Sequence, residues 1–227
     1  MKSRSIVLIV IIGAVLLLMM LQPDMGTASI ILSEAIVVYF LSGGSIKHFA
    51  LAAPIVAIGG LILIKLAPYR AARLTSFLNI DHSFDNISYH MKQVLIALGN
   101  GGVFGLGIGN SLQKYSYLPE NVTDSIFPII AEEFGFVGST ILVILFAVVV
   151  WRGFVIATHA RDTFGKLFAA GIISFIGIQA FLNFGSMTSL LPLTGVPLPF
   201  ISYGGSALLV DMAAIGILLN ISKQGGR

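Results

Sequence analysis

The sequence predicts an all-α protein, a polytopic membrane helix bundle of about six transmembrane helices with a large extracytoplasmic loop. Of its 227 residues, 56% are hydrophobic and only 10% are charged, whereas a soluble domain carries about 25% charged residues. Three long runs, at 5–21, 134–151 and 167–210, contain no Asp, Glu, Lys, Arg or His. A helix needs about 20 apolar residues to cross a bilayer, and it pairs its backbone polar groups internally. These runs exclude a water-soluble globular fold.

The apolar runs place the helices one after another along the chain. We predict spans at about 5–22, 27–42, 49–66, 134–151, 167–184 and 205–221. The first three spans occupy 1–66, the large loop occupies 67–133 and the last three spans occupy 134–227. Lys2 and Arg4 precede the first span as in a secretory signal, but no small-residue cleavage site follows. We interpret this span as a retained helix, with a signal peptide as the alternative.

The distribution of basic residues predicts the orientation of the spans. With the N-terminus in the cytoplasm, eight of the thirteen basic residues lie inside and most acidic residues lie outside. We therefore expect both termini in the cytoplasm and the large loop on the outer side. The net charge of +3 is too small an excess to indicate a nucleic-acid partner.

Two carboxylates fall inside predicted spans, Glu34 in the second and Asp211 in the sixth. Carboxylates within a membrane usually face a bundle interior or a wet cavity, so each is a functional candidate. Hydrogen bonding for packing between helices is the alternative for both. The chain has no cysteine, which excludes disulfides and thiolate chemistry, and its histidines show no metal-ligand spacing.

The large loop is too apolar to be disordered. Its segment 88–98 has helix-like apolar spacing and suits a short interfacial helix. Six glycines follow between Gly99 and Gly109, and they permit positive φ angles and close backbone approach. No Gly-Lys-Ser/Thr ending accompanies them, so we exclude a nucleotide-binding loop.

The segment 111–135 is the part of the chain most indicative of chemistry, because it gathers five ionisable residues between apolar runs: Lys114, Glu120, Asp124, Glu132 and Glu133. Asp124 has a structural alternative. Asn121 or Thr123 could cap a helix, and Asp124 would then lie in its first turn, where the helix dipole favours a carboxylate.

Several motifs in order along the chain resemble one family. They are Gln22-Pro23-Asp24 with the residues up to 28, the segments 70–78 and 113–124, Glu132-Glu133-Phe134-Gly135, and the Pro-rich stretch 192–206 that ends in Ser202-Tyr203-Gly204-Gly205-Ser206. These residues resemble the SEDS family of cell-wall polymerases, which comprises FtsW, RodA and SpoVE. The pair Gln113-Lys114 and the segment 73–78 look most like the division branch, FtsW and SpoVE.

The resemblance implies a peptidoglycan glycosyltransferase that polymerises lipid II, an undecaprenyl-diphosphate-linked disaccharide peptide, on the outer face of the bacterial cytoplasmic membrane. It implies a class B penicillin-binding protein and membrane proteins of the divisome or the elongation complex as partners, in cell division or cell-shape maintenance. The essential carboxylate of the family corresponds to Asp124, and a carboxylate is a suitable general base for a sugar hydroxyl.

The growing charge of the diphosphate leaving group could be offset by Lys114, Arg70, Arg73 or a divalent cation, Mg or Mn. The other expected substrate contacts are Gln22, Asp24, Glu120, Thr123, Glu133, Ser202 and Tyr203. Some of these residues also have structural alternatives. Asp24 could cap the second helix, Ser202 and Tyr203 could serve only the Pro-rich turn beside the active loop, and the two glutamates could stabilise a helix start.

The chain departs from the family at three points. Val122 replaces the family's histidine, Ser125 replaces its phenylalanine, and only the last six of ten family spans are matched. We expect a truncated gene, a partial sequence or half of a split protein. Two alternatives to polymerisation remain open: translocation of lipid II through Glu34 and Asp211, and an inactive scaffold that binds a penicillin-binding protein.

Overall fold

Helices are the only regular secondary structure in the described part of the molecule. The computed structural model describes residues 13–15, 18–19, 24–45, 77, 88–115 and 118–225. These residues contain no strand and form five helices: α1 (Met25–Leu41), α2 (Tyr89–Gly101), α3 (Ile126–His159), α4 (Thr163–Met187) and α5 (Gly205–Gly225). The predicted all-α class is therefore confirmed. The predicted span 49–66 and most of the span 5–22 lie outside the described residues.

Three of the helices, α3, α4 and α5, are long and apolar enough to cross a membrane, and α1 is a shorter apolar helix. They correspond to the predicted spans at 134–151, 167–184, 205–221 and 27–42. At 34 residues, α3 measures about 51 Å at 1.5 Å per residue, which exceeds the roughly 30 Å hydrocarbon core. It begins eight residues before the predicted start of its span, within the predicted loop.

A kink at Gly135 explains this extra length. The backbone there has φ 70° and ψ −167° inside α3, a region of conformational space that is essentially confined to glycine. The first part of α3, 126–134, therefore belongs to the folded loop. The second part, 136–159, measures about 36 Å, which suits one crossing of the bilayer.

The glycine loop, which we define as residues 102–110, occupies the kink. Leu106 and Gly107 donate their backbone N–H groups to the carbonyls of Glu132 and Glu133, at 2.9 and 3.0 Å. In return, the N–H of Phe136 binds the carbonyl of Gly102 at 2.9 Å. Backbone groups that the kink removes from the helix are thus paired by the loop, as buried backbone groups require. The predicted positive φ angles occur at Gly102, Gly105, Gly107 and Gly109.

Helix α2 confirms the predicted short helix after residue 88. Ser88 caps it by accepting the N–H of Met91 at 3.4 Å. Its apolar face packs inside the protein against the first part of α3 and the end of α4, in a core cluster of Met91, Val94, Leu118, Phe127, Ile129 and Met187. Placement of α2 at the membrane surface remains a prediction.

Helix α4 lies at the centre of the described bundle and packs against α1, α3 and α5. Small residues permit this proximity: Ala169 and Ala170 of α4 join Ala157 of α3 and Leu218 of α5 in one core cluster. The chain then leaves α4 and returns to α5 through an irregular stretch at 188–204, which we call the return segment. This segment forms one side of the site described next.

Candidate active site

Asp124 lies in a turn, 118–125, that precedes α3. The N-cap of α3 is Ser125, which makes no side-chain capping bond, and the first turn of the helix contains no acid. Asp124 is therefore outside the helix, and the interpretation that placed it in a first turn capped by Asn121 or Thr123 is wrong. The turn is closed instead by backbone bonds from Thr123 and Ser125 to the carbonyl of Glu120, which has a positive φ of 51°.

Asp124 is 9% exposed as a residue, and its carboxyl group accepts the hydroxyl of Thr123 at 3.2 Å. Burial raises the pKa of Asp124 above its ordinary value, because the charged form loses hydration. The nearby His90 opposes this shift electrostatically. His90 itself lies in the first turn of α2, where its Nε2 is 2.8 Å from the hydroxyl of Ser125.

The backbone of Asp124 is held by Asn183 of α4. The Nδ2 of this fully buried residue donates to the carbonyls of Asp124 and Val196, both at 2.7 Å. One side chain thereby joins the Asp124 turn to the return segment. Buried carbonyls that lose such a donor are costly, so Asn183 fixes the relative position of the two segments.

The return segment makes two further bonds to the Asp124 turn. The hydroxyl of Ser202 donates to the carbonyl of Thr123 at 2.5 Å and accepts the N–H of Leu198 at 2.7 Å. The N–H of Tyr203 donates to the carbonyl of Val122 at 2.7 Å. The predicted packing of the Pro-rich turn beside the active loop is confirmed. The Ser202 hydroxyl serves this structural role, whereas the Tyr203 side chain is 79% exposed.

A cavity of about 440 Å³ opens between these segments. Five predicted site residues line it: Glu120, Thr123, Asp124, Ser202 and Tyr203. Gln179 of α4 and Asp211 of α5 also line it. The remaining lining residues are Gly195, Pro197, Leu198, Pro199 and Phe200 of the return segment and Ala207 and Leu208 of α5. Asp211, which the sequence singled out only as an intramembrane acid, thus shares a cavity with Asp124.

Three predicted substrate contacts do not line the cavity: Lys114, Glu133 and Asp24. Lys114 pairs with Glu133, with Nζ 3.0 Å from Oε1, and also donates to the carbonyl of Gly109. Asp24 caps α1, because its two oxygens accept the backbone N–H and the hydroxyl of Thr27 at 2.9 and 2.6 Å. The predicted contacts Gln22, Arg70 and Arg73 lie outside the described residues.

Glu132 is a buried anchor for the loop rather than a helix-start acid. Its carboxylate accepts the hydroxyl of Ser111, the backbone N–H of Gln113 at 3.2 Å and the Nδ2 of Asn100 at 3.2 Å. The expectation that Glu132 and Glu133 stabilise a helix start is wrong, since α3 begins six residues before Glu132.

Three residues near Asp124 were missed from the sequence: His90, Gln179 and Asn183. A signal existed for the last two. They stand four residues apart in the uncharged run 167–210, so they share one face of a helix, and polar amides within a membrane face other helices or a cavity. His90 gave no comparable signal, because its approach to Asp124 depends on the packing of α2 against α3.

The fold and the site together define a polytopic helical membrane protein with a buried carboxylate in a cavity at one end of its bundle. The family model described as "Cell cycle protein", which unites the FtsW, RodA and SpoVE proteins, matches residues 1–226. The chain belongs to this family, as its motifs predict.

Individual relatives agree with this assignment. The chain is 45% identical over 213 residues to stage V sporulation protein E of Bacillus subtilis strain 168, which covers 94% of this chain and 58% of that protein. It is 42% identical over 219 residues to a probable peptidoglycan glycosyltransferase FtsW of Coxiella burnetii, with 94% of this chain and 58% of that protein covered. The chain thus spans about half the length of the curated relatives it matches.

Solved structures share the same fold. A chain of a peptidoglycan synthase complex that coordinates polymerization and crosslinking matches with a TM-score of 0.74 and 26% identity, over 98% of this chain and 61% of that chain. The rod shape determining protein RodA of Thermus thermophilus matches with a TM-score of 0.61 and 26% identity, over 100% of this chain and 57% of that chain.

Proposed function

We propose that this chain carries the reaction site of a peptidoglycan glycosyltransferase that polymerises lipid II into glycan strands. The observation that carries the proposal is the buried carboxyl of Asp124, which lines an open cavity while hydrogen bonds fix its backbone. Relatives named as probable peptidoglycan glycosyltransferases support the same reaction.

In the proposed reaction, Asp124 removes the proton from a sugar hydroxyl as its oxygen attacks the anomeric carbon of a second sugar. The new bond joins this oxygen to the anomeric carbon, and the bond from that carbon to the lipid diphosphate breaks. The diphosphate leaves with the bonding electrons, and the proton remains on Asp124. A general base is most effective when its pKa lies near the working pH, and the raised pKa of Asp124 brings it closer to that value.

The leaving diphosphate needs positive charge, and none of the described residues that line the cavity is Lys, Arg or His. Lys114 is engaged with Glu133, so it would have to exchange this partner to reach a phosphate. Arg70 and Arg73 remain proposed contacts. Mg or Mn also remains a proposal. Within the described residues no group of three or more His, Asp or Glu side chains is arranged to hold a cation.

The proposed location is the bacterial cytoplasmic membrane, with both termini inside and the Asp124 turn outside. The proposed partners are a class B penicillin-binding protein and other membrane proteins of the division or elongation machinery. The likeness to a complex that coordinates polymerization and crosslinking supports a crosslinking partner.

The test is glycan-strand synthesis from purified lipid II by the purified chain, alone and with a class B penicillin-binding protein. We expect Asp124→Asn to lower the rate at least 100-fold, because a general base contributes about 10²–10⁴ in rate. Asp162→Asn is the matched control. Asp162 only caps α4, and Asn caps a helix as well as Asp does. Equal polymerisation by Asp124→Asn and the parent chain would reject the proposal.

The two alternatives give different results in the same preparations. Translocation predicts transbilayer movement of lipid II without polymer, and its loss in Glu34→Gln. A scaffold predicts that the chain binds the penicillin-binding protein and that no polymer forms either with or without that partner. Asp211, which the translocation alternative also invokes, shares the cavity of Asp124.

A further inference from the structure

The glycine loop exposes four large apolar side chains. Phe104 and Ile108 are 82% and 78% exposed, and Val103 and Leu106 are 57% and 43% exposed. The remaining residues of the loop are glycines and Asn110, so the loop carries no charge. Exposed apolar patches of this kind mark contact with another molecule or with a membrane.

Backbone contacts hold the loop against the kink of α3. The N–H of Val137 donates to the carbonyl of Val103 at 3.1 Å. A Cβ atom on Gly135 would lie 2.7 Å from the backbone of Phe104, so Phe104 lies directly at the kink. The exposed apolar side chains of the loop are therefore fixed at one height along α3.

This height is close to the edge of the hydrocarbon core of a bilayer. The second part of α3 measures about 36 Å against a core of roughly 30 Å, so the kink lies within about 6 Å of one surface of the core. From the kink inward, this part of α3 presents one stripe of exposed apolar side chains at helical spacing: Val137, Ile141, Ile144 and Val148. The stripe begins at the residue that binds Val103, so the apolar surface of the loop continues the surface that α3 presents to lipid.

The other end of the loop is polar. There the Nζ of Lys114 donates to the carbonyl of Gly109 and lies 3.0 Å from the carboxylate of Glu133. The same Nζ lies 5.3 Å from the ring centroid of Tyr115, which is 66% exposed. Lysine and tyrosine at a membrane surface keep their polar ends at the level of the headgroups. The loop thus has an apolar end that suits acyl chains and a polar end that suits headgroups.

We propose that the apolar end of the glycine loop, 103–108, inserts into the outer leaflet of the bilayer. Phe104 and Ile108 then lie among the acyl chains, about 5–10 Å deep as in interfacial segments, while Lys114 and Tyr115 lie at the headgroups. Lipid is the occupant that the position favours, because the loop lies at the edge of the core and continues the lipid-facing stripe of α3. The choice of leaflet rests on the proposed orientation, whereas the insertion itself does not.

Insertion fixes the height of the Asp124 turn relative to the membrane. The carboxylate of Glu132 in the first part of α3 binds the hydroxyl of Ser111 and the N–H of Gln113, just after the loop. The first part of α3 directly follows the Asp124 turn, so the turn and the loop move as one body. Under the proposed function, this arrangement keeps the cavity at the level where a lipid-linked diphosphate emerges from the acyl chains.

The test measures tryptophan fluorescence of the full chain in phosphatidylcholine vesicles that contain no lipid II. Trp151 is the single tryptophan of the chain, so Trp151→Phe removes the background, and Phe104→Trp is added to it. The lipids are brominated either near the carbonyl end or near the methyl end of their acyl chains, and iodide on both sides of the membrane is the aqueous quencher. We expect Phe104→Trp to lose most of its emission to bromine near the carbonyl end and little to iodide.

Further variants in the same background calibrate the depth. Val148→Trp, near the middle of the second part of α3, should be quenched best by bromine near the methyl end. Asn110→Trp, at the polar end of the loop, is the matched control and should lose more emission to iodide than Phe104→Trp does. Ile108→Trp repeats the measurement at a second inserted position. Thermal unfolding of each variant verifies that it is folded.

Two results would overturn the insertion. If iodide quenches Phe104→Trp and Ile108→Trp as strongly as Asn110→Trp and brominated lipid does not, the loop lies in water. If neither quencher acts on positions 104 and 108, protein covers the loop, either another segment of this chain or a second copy.

The same measurements separate the insertion from the proposed function, because they require no polymerisation. A chain that polymerises lipid II with its loop in water would keep the proposed function and lose the insertion. A chain with an inserted loop whose polymerisation is unaffected by Asp124→Asn would keep the insertion and lose the assignment of Asp124 as base.

Discussion

Asp124 and its nearest side chains have separate roles at the residue scale. Asn183 and Ser202 bind the backbone of the turn, while Thr123 contacts the carboxyl group. The carboxyl is thereby left facing the cavity without a strong ionic partner among the described residues. This separation permits its pKa to respond mainly to burial and to the charges around it.

The pH dependence of the proposed reaction should reflect the effects of burial and of neighbouring charges on the pKa of Asp124. A base must be deprotonated, so activity should fall as pH drops through the raised pKa of Asp124. His90 stabilises the charged carboxylate, and Glu120 opposes it. Replacement His90→Gln keeps a group that can bind the hydroxyl of Ser125 but removes the positive charge. The acid limb of the pH–rate profile should then move to higher pH.

The control for this shift is His159→Gln at the exposed C-terminal end of α3, which should leave the acid limb in place. An acid limb that stays fixed in His90→Gln would show that His90 does not act on Asp124.

Asn183 gives a second prediction at this scale. Asn183→Leu keeps a similar volume but leaves the buried carbonyls of Asp124 and Val196 without their donor. We expect a loss of about 2–4 kcal/mol in unfolding free energy and a greatly reduced polymerisation rate. Thermal unfolding in detergent and the lipid II assay measure these effects. Asn220→Leu, on the exposed face of α5, should change neither, and equal stability of the two variants would contradict the proposed bridge.

The sequence identified some site residues better than others. Asp124, Glu120 and Thr123 form one contiguous motif, so their shared position in the cavity followed from the resemblance. Gln179 and Asp211 come from different helices, and their proximity depends on how α4 and α5 pack. Lys114 looked available for a phosphate because its ionic partner, Glu133, lies 19 residues away in the chain.

At the scale of elements, the kink of α3 and the glycine loop form one unit. A Cβ atom on Gly135 would collide with the backbone of Gly105 and Val103, and one on Gly105 would collide with the backbone of Glu133 and Gly135. The two segments fit together only because both positions lack a side chain.

Gly135→Ala should therefore destabilise the protein strongly. The backbone conformation alone costs about 1–3 kcal/mol for a residue with a Cβ, and the collision adds to this cost. Gly216→Ala on α5 is the matched control. No atom lies within 4 Å of its added Cβ, and alanine favours a helix by about 1 kcal/mol over glycine. The unfolding temperature of Gly135→Ala should be lower than that of the parent, and that of Gly216→Ala should be higher. Similar unfolding temperatures for the two variants would contradict the proposed fit between the kink and the glycine loop.

Helix positions were predictable because they follow from apolar length alone. The four described helices of the predicted spans agree with the sequence, and the loop helix α2 was expected from its spacing. The kink was not predicted, since nothing in the sequence distinguishes Gly135 from Gly138, the other glycine among the apolar residues of 134–151. Its geometry depends on the glycine loop, about 30 residues earlier in the chain.

At the scale of the whole molecule, cysteine labelling can test the proposed orientation. The chain has no cysteine of its own, so only introduced cysteines would be labelled. Single cysteines would replace Asn110 in the glycine loop and Arg161 between α3 and α4, both exposed. In intact cells with an accessible inner membrane, an impermeant maleimide should label position 110. Position 161 should react only after permeabilisation. The reverse pattern would overturn the orientation.

Only part of the chain supplies the described cavity lining. The chain spans 58% of its Bacillus subtilis relative, and the described residues of the cavity lining come from the Asp124 turn, α4, the return segment and α5. The described residues of this lining lie between Glu120 and Asp211 in the chain.

The bond between Tyr203 and Val122 has a consequence for how this family can vary. The return segment recognises the carbonyl of residue 122, while the side chain of Val122 is 51% exposed. Every amino acid supplies the same carbonyl, so position 122 can carry valine in place of the histidine that the family resemblance implies without displacing the neighbouring aspartate. Evolution can thus exchange the side chain beside the reactive group independently of the architecture that holds it.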